Sequence, residues 1–565
     1  MDVVTLRKYE ALSPFEIKDF LAKAASKTAT ASAVAYLNAG RGNPNWIATE
    51  PREAFFLLGL FAMTESKRVL DLPPGVGGMP DARGIADRLA AWSKQRTDPG
   101  AECLSKLVPW AVNKFGFDAD GFVHELVDSI VGDNYPVPDR MLVHNEQIVH
   151  EYLQWAMCGP PRPPGRFQLY AVEGGTAAMC YIFKSLKANR LLNAGDTIAL
   201  MTPIFTPYLE MPHLEDYDLK IVTVATTQER RFQFDDAELK KLLDPEVKAF
   251  FIVNPGNPSA VALNEQTFAK IGAILKKRPD LMLLTDDVYG TFVPGFRSLL
   301  GAFPRNTIGV YSYSKYFGCT GWRLGVIAVH EDNVYDRLIA EHAEPVKKKL
   351  DKRYAPLTLE PRKLRFVDRI VADSRDVALN HTAGLSLPQQ VMMTLFSLYE
   401  LMDEKKDYQK ACIGIVRKRV TATIEGLGIE VPPNDQFDYY YGLVDFEFWA
   451  RKYVGEDVVR WMKANVHPLD IVFRLAEDHG IVLLNGSGFD APDWSVRLSF
   501  ANLNDHVYDD IGRAIRAVAR GYRQAYEAAK ASPAARKAKD KVRLPIRAKR
   551  AKRAARARAA HGRHV

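Results

Sequence analysis

A single lysine stands in the run Tyr311-Ser312-Tyr313-Ser314-Lys315-Tyr316-Phe317-Gly318-Cys319-Thr320-Gly321-Trp322-Arg323-Leu324-Gly325. Hydroxyls, aromatics and glycines surround it. Apolar segments at 307–311 and 326–329 flank it, and such flanks read as buried strands. An amine placed between them is costly to bury unless it is neutralised or hydrogen-bonded. Imine formation with an aldehyde neutralises it, and the freed amine then serves as nucleophile and base. Arg323 follows in the same run, and its planar fork suits a phosphate. Lysine for an aldehyde and arginine for a phosphate together point to pyridoxal phosphate. A surface lysine beside a structural arginine is the competing reading.

Other residues have the right chemistry for the same ligand. Glu173-Gly174-Gly175-Thr176-Ala177-Ala178 is a glycine turn that opens a helix. Bare N–H groups and the helix dipole make such a turn an anion site, so Gly175, Thr176 and Ala177 are placed to cradle the phosphate. Asp286 and Asp287 follow the apolar segment 281–284. A carboxylate at a strand end can pair with a protonated pyridine nitrogen and keep the ring an electron sink. Arg497 is the one charge in the apolar segment 496–501. A charge in a buried strand needs an anionic partner, either a ligand or a structural ion pair. Arg41 lies between Gly40 and Gly42, in a tight loop able to approach a ligand closely. An exposed loop arginine is the alternative there.

The S-x-S-K-x-x-G-x-x-G-W-R-x-G pattern resembles the fold-type I, pyridoxal phosphate-dependent aminotransferase family, and within it the members that remove the β-carboxylate of aspartate. The likeness extends over roughly residues 10–525, as far as motifs carry it. It implies that Lys315 holds the cofactor and acts in catalysis, with Ser312, Ser314 and Arg323 among the cofactor ligands. Asp286, three residues before Tyr289, matches the D-x-x-Y spacing of the family. That spacing favours it over Asp287 as the partner of the ring nitrogen. Tyr289 and Asn257 would bond the phenolic oxygen of the cofactor. Asn257 matches the N-P-x-G motif, but Ala260 stands where the last glycine belongs. That departure touches backbone geometry more than chemistry, and a plain turn is the alternative. Phe205 would stack on the pyridine ring, or else be a core phenylalanine. Tyr135 would reach the phosphate of a neighbouring subunit, or else anchor a turn. Arg497, with Asn257 beside it, would clamp the substrate α-carboxylate, and Arg41 would hold or polarise the substrate. No metal is implied.

The elements that must position these residues follow the same pattern. Residues 13–30 read as a helix, with Ser13, Pro14 and Glu16 in capping positions. Residues 51–130 are mostly helical by period, broken at 72–79. From about 165 to 330 strands and helices alternate, which argues for a mostly parallel α/β sheet. The resemblance makes it a seven-stranded sheet with helices on both faces, accompanied by a smaller α/β domain. Residues 331–380 are charged with interleaved signs and read as a solvated helical insertion. His381 begins the way back and reads as structural. Residues 387–402 form an apolar-periodic helix. Strands at 441–446, 481–484 and 496–501 belong to the smaller unit. The expected division is 1–150, an N-terminal helical region with active-site loops; 151–400, a cofactor-binding domain; 401–528, a small domain; and 529–565, a basic tail.

Composition bounds the reading. The chain has 565 residues, 47% of them hydrophobic. It contains no run of 18 apolar residues, so no membrane span is expected, and residues 1–5 lack the character of a signal peptide. Five widely spaced cysteines without a CxxC pattern fit reduced thiols in the cytoplasm. The formal net charge of +8 is misleading, because residues 531–565 hold 13 Lys and Arg against one Asp and leave the remainder at −4. That tail could touch nucleic acid nonspecifically, and a solvated extension is the preferred reading.

The reaction implied by the resemblance is loss of the β-carboxylate of L-aspartate as CO2 to give L-alanine, with aspartate transamination as a side activity. A plain aspartate or aromatic aminotransferase is the alternative within the class. A pyridoxal phosphate-binding regulator is the alternative outside it, and the missing N-terminal basic helix-turn-helix pattern counts against that. The resemblance further implies at least a homodimer, extending to a dodecamer.

Overall fold

The computed structural model describes residues 3–10, 12–32, 35–375 and 383–531. His381 and nearly all of the basic tail at 531–565 lie outside the described residues.

Seven strands build the main sheet: β1 (Phe167–Val172), β2 (Thr197–Thr202), β3 (Lys220–Ala225), β4 (Val247–Val253), β5 (Met282–Asp286), β6 (Thr307–Ser312) and β7 (Gly325–His330). Their order is β1-β7-β6-β5-β4-β2-β3. β7 runs antiparallel to β1 and β6, and the remaining pairs are parallel. The reversal has a local cause. A parallel return needs a long crossover, whereas β6 and β7 are joined by a short connection with a single 3-10 turn at Thr320–Trp322. Lys315 sits in that connection.

Every residue of β5, β6 and β7 is buried, without the alternation of a one-sided sheet, because helices cover both faces. One face packs Ile182, Phe183, Phe366 and Ile370. The other side holds Phe250, Ile252, Phe268 and Ile271 in one cluster and Tyr311, Tyr313, Val391 and Phe396 in another.

A three-stranded antiparallel sheet follows later in the chain: β8 (Tyr441–Asp445), β9 (Leu484–Asn485) and β10 (Ser495–Ser499), ordered β8-β10-β9. The start of the chain is knitted to it. Leu37 and Asn38 pair in parallel with Ile481 and Val482, and the Ser499 N–H donates to the Ala39 carbonyl at 2.8 Å. This anchors the glycine loop at 40–42 against the smaller sheet.

Five helices matter for the site: α1 (Pro14–Ser32), α2 (Thr49–Val69), α3 (Gly175–Ala188), α4 (Phe366–Ser374) and α5 (Leu387–Met402). α1 opens as its sequence suggests. The Ser13 N–H donates to Glu16 Oε2 and the Glu16 N–H donates to Ser13 Oγ, a reciprocal cap. α2 and the helices Pro99–Phe115 and Ala119–Val131 pack together and against α5. Among the described residues no helix is long and apolar enough to cross a membrane.

The segment 331–380 differs from its reading as a solvated insertion. Phe366, Val367 and Ile370 of α4 are buried and pack on α3. Asp373 is buried as well, and its carboxylate accepts from Ser185, Asn189, Tyr354 and Arg353. Four donors satisfy a charge whose burial would otherwise be prohibitive.

Candidate active site

The C-terminal ends of the parallel strands gather the candidate residues along one edge of the main sheet, where open α/β sheets bind ligands. β1 leads into Gly174 and Gly175, β2 into Phe205, β4 into Asn257, β5 ends at Asp286, and β6 leads into Lys315.

The connection after β6 is closely packed and hydrogen-bonded. The hydroxyl of Ser312 bonds that of Ser314 at 3.0 Å and the Leu324 carbonyl at 3.2 Å. Tyr313, Tyr316 and Phe317 are fully buried, and the Phe317 ring stacks on Phe396 of α5 at 4.6 Å. Arg52 of α2 donates to the carbonyls of Phe317 and Gly318. Lys315, half-buried, donates from Nζ to the Gly42 carbonyl at 3.0 Å.

That carbonyl also accepts from the Tyr440 hydroxyl at 2.8 Å. Two residues earlier, the Gly40 carbonyl accepts from Arg497 Nη2 at 3.0 Å. Arg41 lies exposed between them. Gly42 is needed for the close approach: a Cβ there would sit 2.6 Å from the Tyr441 hydroxyl and 3.3 Å from Lys315 Nζ.

Arg497, in the middle of β10, is 1% exposed. Its Nη1 donates to Asn257 Oδ1 at 3.2 Å, and its Nε is buried without a partner. The guanidinium lies 4.3 Å from the Tyr441 ring centroid and 5.0 Å from that of Phe489. No carboxylate pairs with it among the described residues. A buried cation so placed is stabilised by an anionic ligand, and a carboxylate matches its fork.

The other end of the site is an anion cradle. α3 starts at Gly175 with no side-chain cap and no acid in its first turn, so its first N–H groups are open. Arg323 lies over this start, its Nη2 donating to the Glu173 carbonyl at 3.3 Å and its Nη1 to the Thr320 carbonyl at 2.9 Å. Gly174, at φ +92°, holds backbone that favours glycine, and a Cβ there would push Arg323 Nη2 aside. Thr176 is exposed, with Gly175 and Ala177 partly covered.

The adjacent carboxylates of Asp286 and Asp287 diverge. Asp286 turns beneath the start of α3, its Oδ2 3.7 Å from where a Cβ on Gly175 would lie. It accepts from the Tyr208 hydroxyl at 2.6 Å and the Val288 N–H at 3.2 Å. Burial pushes its pKa up, opposed by those two donors and by the Lys315 charge. Asp287 is locked by the hydroxyls of Thr285 and Ser298, and burial raises it to about 8. The carboxylate facing the site is therefore Asp286.

Tyr289 is buried, its hydroxyl 3.4 Å from that of Tyr441 and its ring against Tyr440 and Tyr441. Burial holds its phenol well above the usual tyrosine range. Phe205, half-buried, meets Tyr208 at 5.4 Å and Phe15 at 5.8 Å. Ala260, the substituted position of the N-P-x-G motif, takes φ +60°. This is left-handed backbone that favours glycine, at a cost of about 1–2 kcal/mol. Tyr135 stands apart in character, 69% exposed on the connection after Ala119–Val131.

Four residues of this cluster carry no motif signal: Phe15, Tyr208, Tyr440 and Tyr441. The run Tyr439-Tyr440-Tyr441 at the start of a buried strand was the available clue, since buried hydroxyls need partners. Taken together, an uncapped helix start with an arginine over it, a buried carboxylate beneath it and a lysine amine nearby fit pyridoxal phosphate. The orphaned Nε of Arg497 fits a substrate carboxylate.

Comparisons with known proteins agree with this geometry. The family described as "Aminotransferase class I and II" matches residues 172–515. A protein of Pseudomonas sp., the bifunctional aspartate aminotransferase and L-aspartate beta-decarboxylase, is 48% identical over 525 residues, covering 92% of this chain and 98% of its own. The aspartate/prephenate aminotransferase of Nitrosomonas europaea is 29% identical over 24% of this chain and 35% of its own. Among solved structures, N-succinyldiaminopimelate aminotransferase from Mycobacterium tuberculosis superposes with a TM-score of 0.53 at 17% identity, covering 92% of this chain and all of that one. A Thermus thermophilus aspartate aminotransferase double mutant does so at 0.51 and 16%, covering 89% of this chain and 96% of that one. These last two share the fold.

Proposed function

The chain belongs to the class I and II aminotransferase family, and we infer that it removes the β-carboxylate of L-aspartate to give L-alanine and CO2, with aspartate transamination as a second activity. The observation that carries decarboxylation is the extent of one likeness. The bifunctional relative matches over 92% of this chain and 98% of its own length, whereas the aspartate/prephenate aminotransferase matches over 24% of this chain.

The cofactor is pyridoxal 5′-phosphate, which when bound supplies an electron sink for bonds broken at the substrate carbons. In this reading Arg323, Gly175, Thr176, Ala177, Ser312 and Ser314 grip the phosphate. Asp286, supported by Tyr208, holds a proton on the ring nitrogen. Asn257 and Tyr289 donate to the phenolic oxygen, and Phe205 covers the ring. Lys315 would hold the cofactor through its aldehyde carbon, and its amine would take the proton from the substrate Cα. Arg497 fixes the α-carboxylate and so the direction of the Cα–H bond. Arg41, between the two pinned carbonyls, meets the distal carboxylate. Tyr135 completes the phosphate grip of a neighbouring copy, so the working enzyme is at least a homodimer, and the family resemblance alone suggests a larger assembly, up to a dodecamer. Its five cysteines, all free thiols, suit a reducing cytoplasm.

Incubation with aspartate alone tests the activity. Alanine and CO2 formed over many turnovers without an added keto acid support it. Product that accumulates only when a keto acid is supplied reduces the protein to a plain aminotransferase.

A further inference from the structure

The chain's first long helix, α1, begins beside the site. Its opening turn is fixed by the Ser13–Glu16 reciprocal cap. Pro14 packs so tightly on Gly488 that a Cβ there would collide with its ring. The loop that carries Gly488 is tied to the Phe205 turn, the Ile204 N–H donating to the Phe489 carbonyl at 2.9 Å and the Thr206 hydroxyl to the Gly488 carbonyl at 2.8 Å. The segment before α1 is held as well. Glu10 Oε1 lies 2.8 Å from His467 Nε2, and Tyr9 packs on Phe473 at 5.1 Å.

Phe15 is thereby held among three groups of the site. Its ring meets Phe205 at 5.8 Å and Phe489 at 6.1 Å, and the Arg497 guanidinium lies 5.9 Å from its centroid. Phe205 marks the cofactor side and Arg497 the carboxylate side, so the phenyl borders the space between them. It offers no donor or acceptor to water.

We propose that Phe15 sets the partition between decarboxylation and transamination by roofing the substrate and keeping water from its Cα. The inference rests on the aspartate reading above. The two outcomes differ in their need for water. In decarboxylation the Cβ–Cγ bond breaks, its electron pair stays with the carbon skeleton, CO2 leaves, and a proton replaces it at Cβ. In transamination a water oxygen must reach Cα; the skeleton leaves as oxaloacetate, while the amino group and two electrons pass to the cofactor. A keto acid then takes the amino group back. An apolar roof over Cα slows the second route and leaves the first untouched, and it strengthens the Arg497–carboxylate interaction by excluding solvent.

The test compares the cofactor-loaded wild type with Phe15→Ala and Phe15→Leu. Each is given aspartate with 2-oxoglutarate as amino acceptor, and alanine and oxaloacetate are measured. Acrylamide quenching of the bound cofactor's fluorescence and the melting temperature are measured in parallel. Phe15→Ala is expected to move the product ratio toward oxaloacetate by about tenfold, the scale of one lost apolar contact in a pocket. Quenching should rise with it, and Phe15→Leu should fall between. If Phe15→Ala does not fold, Phe15→Leu decides alone. A ratio within twofold of wild type in a folded, loaded variant overturns the proposal. If the wild type makes neither product, the aspartate reading fails, and unchanged quenching would separately remove the roof.

Discussion

Lys315 and Arg497 hold the same loop. Lys315 Nζ donates to the carbonyl of Gly42 and Arg497 Nη2 to that of Gly40, each at 3.0 Å. The lysine follows a strand of the main sheet and the arginine lies in the smaller one. The lysine amine and the arginine guanidinium are therefore registered through three residues, with Arg41 in the middle.

Gly42→Ala should break that registration. The new methyl would stand 2.6 Å from the Tyr441 hydroxyl, so either the tyrosine or the loop must move. A displacement of this size at a reacting group costs on the order of a hundredfold in rate. The check is kcat/KM alongside circular dichroism. A folded variant with wild-type kinetics would show that the loop does not set the geometry.

Lys315→Ala should abolish both alanine and oxaloacetate formation. Borohydride reduction, which fixes an imine-bound cofactor to its lysine, should leave the variant unlabelled while labelling the wild type. Either activity persisting near the wild-type rate would refute the assignment.

Arg497→Ala should remove the charge-assisted grip proposed for the α-carboxylate. Two hydrogen bonds to a charged group at about 1.5 kcal/mol or more apiece make a loss of ~3 kcal/mol, or above about a hundredfold in kcat/KM. The rise should show in KM for aspartate, and in a weaker dissociation constant for a non-reacting dicarboxylate measured by calorimetry.

Asp286→Asn and Asp287→Asn should separate cleanly. The first removes the carboxylate facing the site and should lower turnover severely. The second should act on stability. Burial raises Asp287 from 3.8 to about 8, so the unfolded chain releases this proton at lower pH than the folded one. The stability contributed is full below about pH 4 and is lost as pH rises through about 8, by at most ~1.4 kcal/mol per pH unit. Thermal melts from pH 5 to 8 should fall less steeply for Asp287→Asn than for wild type, with activity largely kept.

Much of the site could be read from sequence because its pieces are local. Lys315 and Arg323 share one connection, and Gly175 announces a helix start from its own neighbours. Arg497 stood out because a charge in an apolar strand needs a reason. Phe15 gave no such sign, and Tyr440 and Tyr441 gave only that of hydroxyls in need of partners. Each resembles a core aromatic, and only the fold brings it to the site. The charge-rich segment around α4 misled for a related reason. Asp373 looks solvated in sequence, yet its four donors come from Ser185 and Asn189 at the end of α3 and from Arg353 and Tyr354. Satisfaction of a buried charge is a three-dimensional property.

The pairing of Leu37 and Asn38 with Ile481 and Val482 has a consequence for the birth of the enzyme. Gly40 leaves the ribosome 457 residues ahead of Arg497, and contacts so distant form slowly. The growing polypeptide has its proposed phosphate cradle once Arg323 has emerged. The proposed grip on the amino acid must wait for Arg497.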